Sequence, residues 1–297
     1  MIHTRNYNNL VWIDVESPTR EEVTGLVRSH GLHPLVGEGM LTATAKPRIE
    51  YHEGYIYLVL HIPLRTKIGD KYVVTQKEID FVIGKEFIIT TKYDTIEPLQ
   101  NFSKIFETDS IIDKESIGEH AGFIFYYMMK KLYAHMVNDL ESMKDALIFA
   151  ETNVFTGNEK NMVFVLSNLS RELIDLKQIG RLHKDVLESL APVVHEFFGE
   201  DFHFYMNDIL KEYEKIHELS ANNRELLSEL RETNDSLLTT KQNEIMKILT
   251  IVAAIIFPLT LIEGLFSSQV EDMPVLLVVM IVVAVGLTGY FKYKKWF

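Results

Sequence analysis

Oxygen-bearing side chains cluster near the C-terminal end of the chain, at the end of one long apolar stretch and in the short link to the next. They are Glu263, Ser267, Ser268, Gln269, Glu271 and Asp272. Carboxylate and amide oxygens are the ligands that hard cations such as Mg²⁺ prefer. If several copies of the chain formed a ring, these side chains would draw cations to the mouth of a pore. Two alternatives stay open: Glu263 snorkels to the membrane interface, and Glu271 and Asp272 are ordinary solvated loop acids.

A second set of residues runs along the first apolar stretch at three- and four-residue steps, which places them on one face of a helix. The set is Asn243, Met246, Leu249, Ala253, Phe257, Thr260 and Gly264. As a pore lining, Met246, Leu249 and Phe257 would form constrictions that close by dewetting. Asn243 would form a polar ring at the cytoplasmic end. The alternative is a helix–helix seam, because small and apolar residues serve both purposes.

Composition and motifs argue against other kinds of chemistry. The chain has no cysteine, and its formal net charge of −12 disfavours a nucleic-acid polymer as partner. The eleven histidines lack metal-ligand spacing such as His-Glu-x-x-His, and we expect His195 and His203 to lie too far apart to act together. A phosphate-binding glycine loop and a nucleophile elbow are also missing from the sequence. These observations predict that the chain is not an enzyme.

The candidate residues lie on a predicted membrane hairpin. The apolar stretches 245–266 and 273–291 each approach the ~20 residues that a helix needs to cross a bilayer, and the short link 267–272 predicts a turn at one face. Lysines flank the outer ends of the hairpin, including those of the basic tail 292–297, whereas the link is acidic. This asymmetry predicts both termini on the cytoplasmic side of the cell (inner) membrane.

The preceding part of the chain divides into an α/β domain, residues 1–115, and long stalk helices, residues 116–244. Strand-like patterns occur at 11–15, 51–62, 76–83 and 86–91, with Gly84-Lys85 as a hairpin turn. Ser17 before Pro18 predicts a helix N-cap. The stalk is expected to contain two long helices, broken near Gly157, and then a third. This third helix is expected to start near Asp201 and to continue into the first span. The predicted fold class is therefore α+β, followed by long helices and a transmembrane hairpin.

Several segments resemble the CorA family of magnesium and cobalt transporters. At the membrane end they are Asn243–Ile251 (NEIMKILTI), Phe257–Gly264 (FPLTLIEG) and Met273-Pro274; at the other end they are Trp12–Val15 (WIDV), Ser17-Pro18-Thr19 and Gly31–Leu35 (GLHPL). The resemblance implies a funnel-shaped homopentamer in the lipid bilayer, with the first spans around one pore, and it places the stripe from Asn243 to Gly264 on the side that faces this pore. It also implies transport of divalent cations, Mg²⁺ foremost and Co²⁺ or Ni²⁺ as others.

One departure from the family pattern concerns ion selectivity. The family signature Gly-Met-Asn at the outer end of the first span is replaced here by Ser267, Ser268 and Gln269. The family's asparagine ring meets the hydrated ion, and Gln269 keeps the amide oxygen on a longer stem. The resemblance also implies that Mg²⁺ bound between subunits closes the pore. By position Asp208 would take part in that regulation, with Glu232 and Asp235 as weaker candidates.

Two further hypotheses keep the architecture and change its use. In the first, the cytoplasmic funnel senses another ligand, such as a signalling nucleotide, and opens a less selective pore. In the second, the chain is a nonconducting scaffold anchored in the membrane. The scaffold hypothesis predicts electrically silent bilayers and tolerance of polar substitutions at Phe257.

Overall fold

The computed structural model describes residues 1–7, 9–69, 71–108, 119–266 and 273–294. The strands are β1 (Ile2–Tyr7), β2 (Leu10–Glu16), β3 (Arg48–His52), β4 (Tyr55–Ile68), β5 (Lys71–Gly84) and β6 (Phe87–Lys92). The helices are α1 (Arg20–His30), α2 (Pro34–Gly39), α3 (Glu97–Thr108), α4 (Gly122–Phe155), α5 (Glu159–Gly180), α6 (His183–Phe198), α7 (Phe202–Phe266) and α8 (Met273–Tyr293).

The strands form one mixed sheet with the order β1-β2-β6-β5-β4-β3. Only the β2–β6 pair is parallel among the described strands, and the others pair antiparallel. The sheet is covered on both faces: α1 and α2 pack on one side, and the long helices pack on the other. Because both faces are buried, β4 carries a continuous apolar run from Tyr55 to Leu60 instead of an alternating pattern.

The start of α1 differs from the sequence prediction. Thr19, not Ser17, is the N-cap, because its hydroxyl accepts from the Glu22 N–H and the Glu22 carboxylate accepts from the Thr19 N–H. This capping box satisfies two backbone donors that the first helical turn leaves free. Ser17 instead lies in the left-handed region with φ 49°, and its hydroxyl donates to the Tyr93 carbonyl at 3.1 Å.

The helical part contains one break that the sequence analysis missed. Residues between α4 and α7 were expected to form one helix after the break near Gly157, but α5 ends at Gly180 and α6 begins at His183. His183 is fully buried, and its Nε2 lies 2.8 Å from the His61 carbonyl of β4. The second helix is therefore divided where it packs against the sheet.

Helix α7 joins the stalk to the membrane end without interruption, as predicted. It spans 65 residues, which corresponds to about 100 Å at 1.5 Å per residue. Its first half packs on α4, α5 and α6 through buried residues such as Met206, Tyr213 and Leu230. A polar helix of this length is therefore supported by the preceding helices of its own chain.

Candidate ion pathway

The membrane end of α7 has one face that packs on α8. The buried or half-buried residues of α7 recur at three- and four-residue steps: Ile251, Ala254, Ile255, Pro258 and Ile262. The matching residues of α8 are Leu276, Met280, Val283, Leu287 and Phe291. Within the described residues, these are the two helices long and apolar enough to cross a membrane, and 6% of each apolar window is buried in the chain. One narrow seam thus holds the hairpin together.

The stripe predicted to line a pore lies on the opposite side of α7 from this seam. Met246, Leu249 and Phe257 are 53%, 59% and 73% exposed, Asn243, Thr260 and Gly264 are exposed, and Ala253 is half-buried. At 100° per residue, the stripe positions from 246 to 264 fall about 120–180° from Ile251 around the helix axis, whereas Asn243 falls at about 80°, at the edge of the stripe. The Thr260 hydroxyl donates to the Phe257 carbonyl at 2.9 Å. The stripe is therefore free to face an axis shared with other copies.

A stretch of α7 just before the seam is uncovered. Every residue from Thr239 to Thr250 is exposed, and Ile245 and Ile248 are 66% and 61% exposed. The ion pair between Lys241 Nζ and Glu159 Oε2, at 2.7 Å, ties this stretch to the start of α5. Most of the stretch is polar, but its exposed apolar side chains lie together between Ile245 and Leu249, and grouping of this kind marks an interaction site or membrane contact.

The outer-mouth candidates fall mostly beyond the described residues. Glu263 is exposed near the end of α7, which is compatible with either of its two predicted roles. Ser267, Ser268, Gln269, Glu271 and Asp272 lie outside the described residues, so their predicted roles stay predictions.

Asp208 is already engaged within its own chain. Its Oδ2 accepts from the Tyr126 hydroxyl at 2.7 Å and from Lys130 Nζ at 2.9 Å. These bonds, the one from Tyr126 first, lower the pKa of Asp208 below its ordinary value. Glu232 and Asp235 are exposed on α7. In the part of the chain that the structure describes, no three His, Cys, Asp or Glu side chains form a group that could hold a metal ion.

Two histidines lie closer together than the sequence analysis expected. The rings of His195 and His203 are 6.2 Å apart, centre to centre. The turn at Gly199, where φ is 97°, folds the start of α7 back toward the end of α6. This proximity depends on the left-handed backbone of Gly199, which the sequence does not reveal. Within the described residues the two histidines belong to no group of three or more side chains that could hold a metal ion.

A basic cavity was also missed. It opens between the β4–β5 hairpin, the turn from α5 to α6, and α7, and its volume is about 630 Å³. Its cationic side chains are Lys46, Lys177, Arg181 and Arg224. They are spread over nearly 180 positions of the sequence, so no local motif could reveal them. Only the packing of sheet and helices brings them together.

Comparisons with known proteins agree with this architecture. The family model described as "CorA-like Mg2+ transporter protein" matches residues 7–294. The cobalt/magnesium transport protein CorA of Thermotoga maritima is 28% identical over 98% of this chain and 85% of its own length.

A Methanocaldococcus jannaschii protein of the same name is 22% identical, over 97% of this chain and 91% of its own length. The complete structure of the CorA magnesium transporter from M. jannaschii superposes with a TM-score of 0.80 at 20% identity, covering 97% of this chain and 92% of that one. The predicted fold, a mixed α/β domain with long helices and an apolar hairpin, is thereby confirmed. Because the family model covers almost the whole sequence, the chain belongs to the CorA-like Mg²⁺ transporter family.

Proposed function

We propose that several copies of this chain, arranged as a homopentamer, surround a pore lined by α7 through which divalent cations cross the membrane. As a member of the CorA-like family the chain is a transporter of divalent cations and not an enzyme. The finer parts of the proposal concern Mg²⁺ as the main ion, Co²⁺ or Ni²⁺ as others, and the residues that line the path. Transport down an electrochemical gradient requires no covalent step.

The observation that carries the proposed pathway is the position of the stripe opposite the α8 seam. A hairpin held by one seam leaves the other side of α7 for neighbouring copies, and the exposed stretch 239–250 extends that surface toward the cytoplasm. In this arrangement Asn243 forms the inner polar ring, Met246, Leu249 and Phe257 form the constrictions, and Ala253, Thr260 and Gly264 complete the lining. Narrow apolar rings exclude water and so block a hydrated ion until they widen.

The orientation follows from the flanking charges. We place both termini in the cytoplasm of a cell whose inner membrane holds the hairpin, with residues 1–115 and the stalk 116–244 inside. Spans 245–266 and 273–291 are joined outside by the turn 267–272, and the tail 292–297 returns inside. Glu263, Glu271 and Asp272 then attract cations to the outer mouth, where Ser267, Ser268 and Gln269 receive the hydrated ion.

Regulation by internal Mg²⁺ at Asp208 remains part of the proposal, with one change. Because Lys130 already pairs with this carboxylate, a bound cation has to compete with an ammonium group of the same chain.

The second candidate function is gating by a cytoplasmic nucleotide. The basic cavity beside α7 favours it.

Uptake into liposomes tests the transport proposal. Purified full-length protein is reconstituted, and entry of Mg²⁺, Co²⁺ and Ni²⁺ is followed with an indicator dye against protein-free liposomes. We expect saturable entry of at least Mg²⁺ that rises with the inward gradient. Silence toward all three ions with internal Mg²⁺ removed would instead support the nonconducting scaffold.

A further inference from the structure

The basic cavity contrasts with the charge of the rest of the protein. Its titratable lining consists of Lys46, Lys177, Arg181, Arg224 and His61, with no carboxylate among the lining residues, in a chain whose formal net charge is −12. Within the described part of the chain, none of the four Lys and Arg side chains forms an ion pair. Four unpaired cations around one concave space favour an anion.

Ordinary helix electrostatics accounts for only part of this arrangement. Lys177 and Arg181 lie at the C-terminal end of α5, where cations complement the helix dipole. Lys46 comes from the segment before β3, and Arg224 comes from the middle of α7. Neither position has such a reason to be basic. His61 also lines the cavity, and its Nε2 lies 3.0 Å from the buried Glu78 carboxylate, which accepts from the Thr44 N–H and hydroxyl as well.

A smaller cavity lies directly beside the first and shares Lys177 and Arg181 with it. Its volume is about 250 Å³; Met136, Tyr213 and Ile216 contribute apolar walls, and the charged or polar side chains of Lys184, Asp185 and His217 line it as well. Ser220 also lines it, although this residue is only 6% exposed, and its buried Oγ has no hydrogen-bond partner. A buried hydroxyl without a partner costs free energy that a ligand group could recover.

We propose that the two cavities together form a binding site for a nucleoside di- or triphosphate. The phosphates lie among Lys46, Lys177, Arg181 and Arg224, since guanidinium and ammonium groups bind phosphate oxygens through charge-assisted hydrogen bonds. The base enters the smaller cavity, where it packs on Tyr213 and bonds to the Ser220 hydroxyl. Aromatic packing with one or two placed polar groups is the usual chemistry of such pockets.

The site has a direct mechanical connection to the proposed pathway. Tyr213, Ser220 and Arg224 all belong to α7, and Phe257 lies on the same unbroken helix, about 50 Å further along from Arg224. A ligand that bridges the sheet, α5 and α7 would restrain α7 relative to the sheet. This regulatory consequence, unlike the binding itself, depends on the proposed transport function.

Calorimetric titration of the full-length protein in detergent tests the binding. The buffer contains EDTA, so that chelation of Mg²⁺ by the nucleotide does not contribute. The probes are ATP, ADP, adenosine and inorganic triphosphate. We expect ATP to bind more tightly than ADP, and both to bind more tightly than adenosine or inorganic triphosphate, because each of these engages one cavity only.

Substitutions assign the two parts of the site. Arg181→Gln and Arg224→Gln should each weaken ATP binding about tenfold or more, whereas Arg171→Gln and Lys160→Gln, exposed residues elsewhere on α5, should leave it unchanged. Ser220→Ala should weaken ATP binding without changing that of inorganic triphosphate. Lys46→Gln also removes a proposed phosphate contact and should weaken ATP binding. Because Lys46 lies outside the helices, this substitution should disturb folding least.

Three results would overturn the proposal. The first is that ATP does not bind at millimolar concentration, and the second is that inorganic triphosphate binds as tightly as ATP. The third is that the control variants Arg171→Gln and Lys160→Gln lose as much affinity for ATP as Arg181→Gln and Arg224→Gln do. Addition of ATP to the cytoplasmic side of conducting liposomes, at fixed free Mg²⁺, then tests the coupling. If ATP binds but does not change the cation flux, only the regulatory consequence is overturned. If cations are transported but ATP does not bind, the nucleotide site is overturned and the transport proposal stands.

Discussion

Lys130 Nζ lies 2.9 Å from Asp208 Oδ2 and 2.8 Å from Glu212 Oε1, so one ammonium group of α4 bridges two carboxylates of α7. Burial opposes the charge on Lys130, but the bonds to Glu212 and Asp208 outweigh it and raise the pKa of the lysine. The carboxylate that family resemblance marks as a regulatory cation ligand thus shares an ammonium group of its own chain with Glu212. These contacts hold α4 and α7 together at this point.

Removal of this lysine should strengthen binding of a divalent cation at Asp208. We expect Lys130→Gln to tighten Mg²⁺ binding about two- to fivefold, because a partly exposed ion pair is worth at most about 1 kcal/mol. Lys131→Gln, an exposed neighbour on α4, is the matched control. Mg²⁺-dependent protection from proteolysis gives the affinity. If Lys130→Gln and Asp208→Asn both leave that affinity unchanged, Asp208 is not a cation ligand.

A polar side chain at Phe257 should open one of the apolar constrictions of the proposed pathway. Phe257→Asn is expected to raise basal Mg²⁺ entry into liposomes about severalfold, since a polar ring retains water where an apolar one excludes it. Val252→Asn is the matched control, because Val252 is also exposed on α7 but lies outside the stripe. Equal flux in the two variants would contradict the assignment of the pore-facing side.

Asn243 is the residue of the proposed polar ring at the cytoplasmic end. Asn243→Leu should reduce the conductance for Mg²⁺, because the side-chain amide can no longer accept hydrogen bonds from water around the ion. Thr240→Leu, also exposed but on the side of α7 that continues the α8 seam, controls for added hydrophobicity. Single-channel or uptake measurements compare the two. Unchanged flux in Asn243→Leu would remove this residue from the pathway.

The outer mouth can be tested by restoring the family signature. Replacement of Ser267-Ser268-Gln269 by Gly-Met-Asn should shift selectivity toward Mg²⁺ over monovalent cations, because asparagine holds its amide on a shorter and stiffer stem than Gln269 does. Competition uptake with Na⁺ and Mg²⁺ measures the ratio. A selectivity ratio identical to that of the native sequence would mean that the mouth does not discriminate between these ions.

Asp80 should make the protein less stable at high pH. This carboxyl, 1% exposed on β5, accepts from the Thr91 hydroxyl at 3.0 Å. Burial, with a smaller contribution from Glu78, raises its pKa to about 8. Because the folded pKa exceeds the ordinary value of 3.8, its contribution to stability is complete below that value and is lost as the pH rises through about 8.

We therefore expect Asp80→Asn to raise the melting temperature relative to the native sequence at high pH, and the difference to shrink toward pH about 4. Thermal unfolding of the full-length protein in detergent, at a series of pH values, measures this difference. Asp94→Asn, an exposed carboxyl nearby, is the control and should show little pH-dependent difference. A constant difference across the series for Asp80→Asn would mean that its carboxyl is ionised in the folded protein.

Local patterns predicted the elements that depend on local interactions. The continuity of α7 could be anticipated, because no glycine or proline interrupts its sequence from Phe202 to Pro258. The sequence pattern predicts Ser17 as the N-cap, because Pro18 favours the first helical position, whereas the N-cap in the structure is Thr19. The break between α5 and α6 was missed because its reason is not local: His183 is drawn against β4 by burial and by the His61 carbonyl.

The membrane hairpin, the long helix and the α+β class can be predicted from the amino-acid sequence, because backbone hydrogen bonding in lipid and helical periodicity act within one segment. The side of α7 that α8 closes, the partner that holds Asp208, and the cavity shared by Lys46, Lys177, Arg181 and Arg224 depend on tertiary packing. These features require contacts between residues far apart in the chain, and such contacts form only when the sheet and the helices pack.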